Sequence, residues 1–199
     1  MNGKHLLAAL GIASTLLACA PATSLGATAG APPAAKPDEK KDVITITGQD
    51  YSATVRAPEG WQGDTEAAKA FRGNVLFTQK GDPAGGAKVL LVMQHKFDEN
   101  TALLLDGDIA NIRKQYPNLQ LADLDVKHPK YQTFSKALSQ PGEFFQYETY
   151  MNPGSIYGYA VFVGMSKAKE AATPAELAAY KEIVRSLQMA PLASAPPAQ

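Results

Sequence analysis

From Val43 onward, apolar positions recur at the spacings of two, and of three or four, that mark strands and helices. Residues 43–47 and 51–56 are β-rich runs separated by Gly48-Gln49-Asp50, which predicts a hairpin. Ala57-Pro58-Glu59-Gly60-Trp61 ends it, because proline and glycine interrupt ladders and helices alike. Trp61, the sole tryptophan, is expected to plug one end of the core. Residues 65–71 predict a short helix, and residues 75–80 and 88–96 two strands. The second of these carries Val89-Leu90-Leu91-Val92-Met93, apolar on both faces, as suits a central strand covered from two sides. Gly81 and Gly86, between the two strands, have the spacing of a phosphate-binding loop. Ala87-Lys88-Val89 stands where Gly-Lys-Ser/Thr is needed, however, and a strand follows rather than a helix, so a hairpin loop is expected.

Asn100 reads as the N-cap of a helix to Tyr116, with Leu105, Ile109, Ile112 and Tyr116 on one face; Gly107 weakens it and Pro117 stops it. Residues 119–127 alternate as a strand that would set Asp123 and Asp125 on one side, about 7 Å apart. Such a pair suits either a polar edge kept from aggregating or part of a calcium site, the first reading being preferred. A stretch rich in Lys, Pro and Ser then reads as a loop.

Residues 143–151 and 156–165 predict a hairpin around Asn152-Pro153-Gly154-Ser155, where Pro then Gly suits a type II turn. That turn would pair Met151 with Ile156, Thr149 with Gly158, Tyr147 with Ala160 and Phe145 with Phe162 on one face. It would pair Tyr150 with Tyr157, Glu148 with Tyr159, Gln146 with Val161 and Phe144 with Val163 on the other. The second face gathers Phe144, Tyr150, Tyr157 and Tyr159, aromatic residues of the kind enriched at interfaces, and is the candidate binding face. The reading in which the helix from Asn100 covers this face, with the tyrosines at its rim, is preferred. Thr173-Pro174-Ala175-Glu176 combines an N-cap, proline at the first helical position and a capping-box glutamate, opening a helix with Leu177, Tyr180, Val184 and Leu187 along one stripe.

Ahead of all this, Lys4 and His5 precede an apolar run over residues 6–17, too short to span a bilayer as a helix. It ends in Leu16-Leu17-Ala18-Cys19, which holds the chain's single cysteine. This segment resembles the lipobox of bacterial lipoproteins. The resemblance implies a signal peptide over residues 1–18, cleavage before Cys19 and lipidation of its sulfur, so that two or three acyl chains would hold the protein to a membrane. Ala20 after the cysteine implies sorting to the outer membrane, facing the periplasm. An ordinary secretory signal with a chance cysteine is the alternative. Residues 19–42, with Ala, Pro, Gly, Ser and Thr and then a mixed charged run, suit a flexible linker, and residues 190–199 a disordered tail. With no cysteine left for a disulfide, a single domain over residues 43–189 must rest on its hydrophobic core.

Composition narrows the function. Nineteen Lys and Arg balance nineteen Asp and Glu without a basic stripe, so no nucleic-acid partner is expected. No serine lies in a nucleophile elbow. His95 with Asp98 and Glu99 is better read as a strand end beside a solvated turn than as a metal site, and His128 as a loop residue. Neither a metal nor a cofactor nor catalysis is expected. The order of elements, with Pro58-Glu59-Gly60-Trp61 after the opening hairpin and a closing helix ending Ile183-Val184-Arg185-Ser186-Leu187, resembles the PsbP-like fold, which includes DcrB-like bacterial lipoproteins. That resemblance implies an α+β domain, an antiparallel β-sheet flanked by helices as an α/β/α sandwich, that binds another envelope protein. A carrier of a small apolar ligand is the alternative.

Overall fold

The computed structural model describes residues 42–81, 86–95, 100–154 and 158–192. Among these residues the fold is α+β: ten strands, all paired antiparallel, form two sheets, and three helices pack on them. The elements in chain order are β1 (Val43–Thr47), β2 (Tyr51–Arg56), β3 (Trp61–Asp64), α1 (Thr65–Lys69), β4 (Val75–Gln79), β5 (Lys88–His95), α2 (Ala102–Gln115), β6 (Gln120–Asp123), β7 (Gln132–Gln140), β8 (Phe144–Asn152), β9 (Tyr159–Ala168), α3 (Pro174–Ser186) and β10 (Gln188–Pro191). The main sheet has seven strands in the order β3-β4-β5-β9-β8-β7-β6, and β1, β2 and β10 form a smaller sheet with β2 in the middle. Among the described residues no helix is long and apolar enough to cross a membrane.

Each face of the main sheet is covered. Val89 and Leu91 of β5, Val161, Val163 and Met165 of β9, and Tyr147 and Met151 of β8 meet Tyr180, Ile183 and Val184 of α3 and the small sheet in the principal core. On the opposite face, α1 sets Ala68 against Leu76 and Leu90. Beside it α2 lays Leu105 and Ile109 on Leu138 and Tyr150. The small sheet reaches the edge strand β3 at Gly63, where an added Cβ would stand 2.2 Å from the tip of the Ile44 side chain and force it to shift. Trp61 is buried in the principal core from that same edge.

Local signals account for the helices. In α3 the Thr173 hydroxyl accepts from the Glu176 N–H at 3.2 Å and the Glu176 carboxylate accepts from the Thr173 N–H at 2.6 Å, a complete capping box with proline in the first turn. Glu176 is itself buried, because its carboxylate also takes a 2.9 Å bond from the buried ammonium of Lys167 on β9. In α2 the N-cap is Thr101, which makes no side-chain cap bond, rather than the expected Asn100; Asn100, one residue earlier, accepts from the Ala102 N–H at 3.2 Å through its carboxamide oxygen, and the helix closes at Tyr116 before Pro117.

Five further expectations change, the first being that Trp61–Asp64, read only as the end of the opening hairpin, forms β3 and pairs with β4. The hairpin of β8 and β9 is set further along than a tight turn at Pro153-Gly154 requires: Met151 pairs with Val161 and Tyr150 with Phe162. Asn152 turns the chain with its own carboxamide, which accepts from the Gly154 N–H at 3.0 Å, and Gly154 and Gly158 have φ of 115° and 59°. Nine residues read as loop form β7, whose strand pattern is weak because only Phe134 and Leu138 supply bulk on one face while Thr133, Ser135, Ala137 and Ser139 line the other. Conversely, the strand predicted to run to residue 127 stops at Asp123. The chain also continues past Met189, since β10 pairs with β2 through Pro191 and the Leu192 N–H donates to Asp50 at 3.1 Å. Residues 193–199 lie outside the described residues.

Tyr180 ties the two layers together: its hydroxyl, fully buried, lies 2.8 Å from both the Val163 carbonyl and the Thr149 hydroxyl, and Ser135 stands 3.0 Å beyond Thr149. Replacing Tyr180 by Phe keeps the ring and removes the bond, so a loss of about 1–2 kcal/mol is expected. A urea melt should show the lower midpoint with an unchanged slope.

Candidate functional site

β8 is a hairpin strand with apolar or aromatic residues at most positions, and Glu148 lies in its middle with no exposed surface. Strand alternation sends Gln146, Glu148 and Tyr150 to the face under α2. Across the ladders Glu148 stands opposite Lys136 on β7 and Gly164 on β9. The Phe162 ring folds over Gly164, its tip 2.5 Å from where a Cβ would be, so a larger residue there would displace the ring. From α2, Asp108 comes down on the same cluster and accepts a short hydrogen bond from the Tyr150 hydroxyl.

The carboxyl of Glu148 is incompletely partnered. One oxygen, Oε1, accepts from Gln146 Nε2 at 2.6 Å, and the other, Oε2, has no hydrogen-bond partner. Lys136 does not supply one, since its ammonium is 2.6 Å from Asp123 on β6. Burial and the facing Asp108 push the Glu148 pKa up to about 8 against the bond from Gln146. Burial, followed by the charge of Asp108, also drives the Tyr150 phenol far above its ordinary range. At neutral pH the cluster therefore holds a protonated Glu148, a phenol donating to Asp108 and an amide donating to Glu148. It is a proton-holding site closed beneath a helix.

The structure divides the predicted binding face. Phe144 and Tyr150 are on the α2 side, where Tyr150 is 2 % exposed and packs on Phe162, and Phe144 meets Tyr116 edge-on at 4.9 Å. Tyr159 lies on the other side, edge-on to Tyr51 at 4.8 Å and next to His95 at 4.3 Å. The physical cause is the register: a shift of five residues, an odd number, moves each β9 side chain to the opposite face relative to β8. Tyr157 lies outside the described residues, as do Cys19, Asp98 and Glu99. Asp123 is held by Lys136 at 2.6 Å, and Asp125 lies 3.7 Å from Lys127. Among the described residues no group of three or more His, Cys, Asp and Glu side chains is placed to hold a metal ion.

His128 is a loop residue, as expected, but a buried one. Its Nδ1 accepts from the Lys130 and Tyr131 N–H groups, each at 3.0 Å, which leaves the proton on Nε2, 2.9 Å from the Leu187 carbonyl at the end of α3. Burial lowers its pKa against that carbonyl bond, with Lys130 adding to the depression. A protonated ring would lose both N–H donors at Nδ1.

The pairing of Asp108 with Glu148 was not foreseen from the sequence, yet one signal is there. Asp108 falls three residues after Leu105 and four before Ile112, on the apolar stripe of α2, where a carboxylate needs a partner. No protein-family model matches the chain, and no curated protein matches it.

The two buried groups give opposite pH dependences. Glu148 has its folded pKa raised above the unfolded 4.5, so its contribution is complete below pH 4.5 and is lost as pH rises through about 8. His128 has its folded pKa lowered below 6.5, so its contribution is present above pH 6.5 and is lost as pH falls. Glu148→Gln should therefore match the wild type near pH 5 and exceed it by a few kcal/mol at pH 8.5, while both decline together on the acid side. Urea midpoints between pH 5 and 9 check this, and parallel curves for the two proteins would contradict the assignment.

Proposed function

We propose that the chain is a lipid-anchored accessory module of the bacterial cell envelope, attached to the outer membrane through Cys19, facing the periplasm and acting by binding another envelope protein rather than by catalysis. The observation that carries this reading is the position of the single cysteine, directly after an apolar run of targeting length in Leu16-Leu17-Ala18-Cys19. The folded body opens with β1 at Val43, so residues 20–42, rich in Ala, Pro and Gly, separate it from the lipid and suit a spacer. The layered arrangement, with a sheet between helices, is the one that a likeness to PsbP-like domains implies, and the characterised members of that family bind proteins.

Placement of the ionisable groups supports binding over catalysis. Glu148, whose proton affinity is shifted into the neutral range, is shut off from any substrate by α2 and Phe162. Lys167 and Glu176 are likewise spent on each other and on the cap of α3.

Expression of the full chain in a Gram-negative host tests the anchor. The wild type should partition into the detergent phase and show an acylated N-terminal cysteine by mass spectrometry, whereas Cys19→Ala should appear in the aqueous phase with its fold intact by circular dichroism. A wild-type protein with an unmodified N-terminus would remove the anchor from the proposal.

A further inference from the structure

The α2 face of the sheet combines three features that bear on motion. Only Leu105 and Ile109 of α2 are buried, with Leu104, Ile112 and Tyr116 partly so, and Gly107 in its middle has open space beyond its Cα. Beneath it lies an apolar floor of Leu138, Tyr150, Phe134, Phe144 and Phe162. Within that floor sits Glu148, fully buried, with Oε2 unpartnered and Asp108 facing it from the helix.

We propose that the proton on Glu148 is a latch: with it the carboxyl is a neutral group that α2 covers, and without it two facing carboxylates lift α2 from the sheet and open the apolar floor. The proton passes to solvent as the helix rises, and the ionised carboxylate takes up water in place of the missing partner. An ionised carboxylate buried with one oxygen unpartnered is costly, and a short amphipathic helix holds the sheet by few apolar contacts, partly offset by its ordering entropy.

Gln146 and Tyr150 flank Glu148 on β8, Gly164 faces it from β9, and Asp108 from α2. Arg113 and Lys114 are in the last turn of α2, at the end where Tyr116 meets Phe144. Tyr180 of α3 approaches through the sheet from the other face, where burial above all, and after it an ionised Glu148, raises its pKa against the bond with Thr149. Lys136 across on β7 is the cation placed to quench the latch, and Asp123 holds it away at 2.6 Å.

Hydrogen exchange of the full lipidated chain in detergent micelles, followed by mass spectrometry from pH 5 to 9 and corrected for intrinsic base catalysis, reads the latch directly. Protection of α2 amides should fall by up to about tenfold per pH unit from pH 5 to near 8 and then level, while α3 keeps its protection. Glu148→Gln should abolish the dependence. Asp108→Asn, which keeps Glu148 and removes the facing charge, should shrink the total fall, and it serves equally if the first variant does not fold. The infrared band of a protonated carboxylic acid should disappear near pH 8 in the wild type and be missing from Glu148→Gln. Constant α2 protection, which includes the case of Lys136 swinging across to pair with Glu148, would overturn the proposal. So would joint loss of α2 and α3 protection, or an unchanged response in both variants.

Discussion

The register of β8 on β9 governs this molecule more than any other contact. β9 is the middle strand of the main sheet, and its ladder with β8 decides which side chains look toward α3 and which toward α2. Setting Thr149 opposite Val163 brings both under Tyr180, and setting Glu148 opposite Gly164 leaves room for the Phe162 ring above the glycine. A slip of one residue would exchange these sets and drive the carboxyl of Glu148 into the principal core. At the described ends of the connection, the Asn152 carboxamide accepts from the Gly154 N–H, and Gly154 and Gly158 have positive φ.

A sheet covered on both faces must satisfy every polar group that it carries. Most are satisfied here within hydrogen-bond distance: Thr149 by Ser135 and Tyr180, Lys167 by Glu176 and Glu170, His128 by three backbone groups. Glu148 departs from the pattern. An ionised carboxylate with one oxygen unpartnered costs more at that position than retaining a proton at neutral pH, so the proton stays. The two layers differ in kind: α2 lays an apolar stripe over a floor that includes Glu148, whereas α3 meets the sheet through a larger apolar core and opens with a complete capping box.

Against this background, the division of the aromatic residues between two faces takes Phe144, Tyr150 and Tyr159 apart as a common surface. Tyr150 acts instead as a bridge, its ring in the floor beneath α2 and its hydroxyl on Asp108. A lipid-anchored binding module would have to present its partner surface elsewhere on the body or uncover the floor by moving α2.

Local patterns determined a good deal of this protein. The capping box of α3, the apolar stripe of α2, the opening hairpin, the doubly apolar β5 and the α+β class itself are all legible in the chain, because each depends on residues within a few positions of one another. The candidate site was not legible. Asp108 and Glu148 are forty residues apart, and only the packing of α2 on a correctly registered β8 brings them together. β7 and β10 also needed tertiary structure, since sequences such as Gln132-Thr133-Phe134-Ser135 and Gln188-Met189-Ala190-Pro191 become strands through the edges of β8 and β2 on which they pair. Sequence sets what a segment prefers when its signals are local. Which face it shows, and which distant carboxyl it meets, follow from a strand register that a longer turn shifted by an odd number of residues.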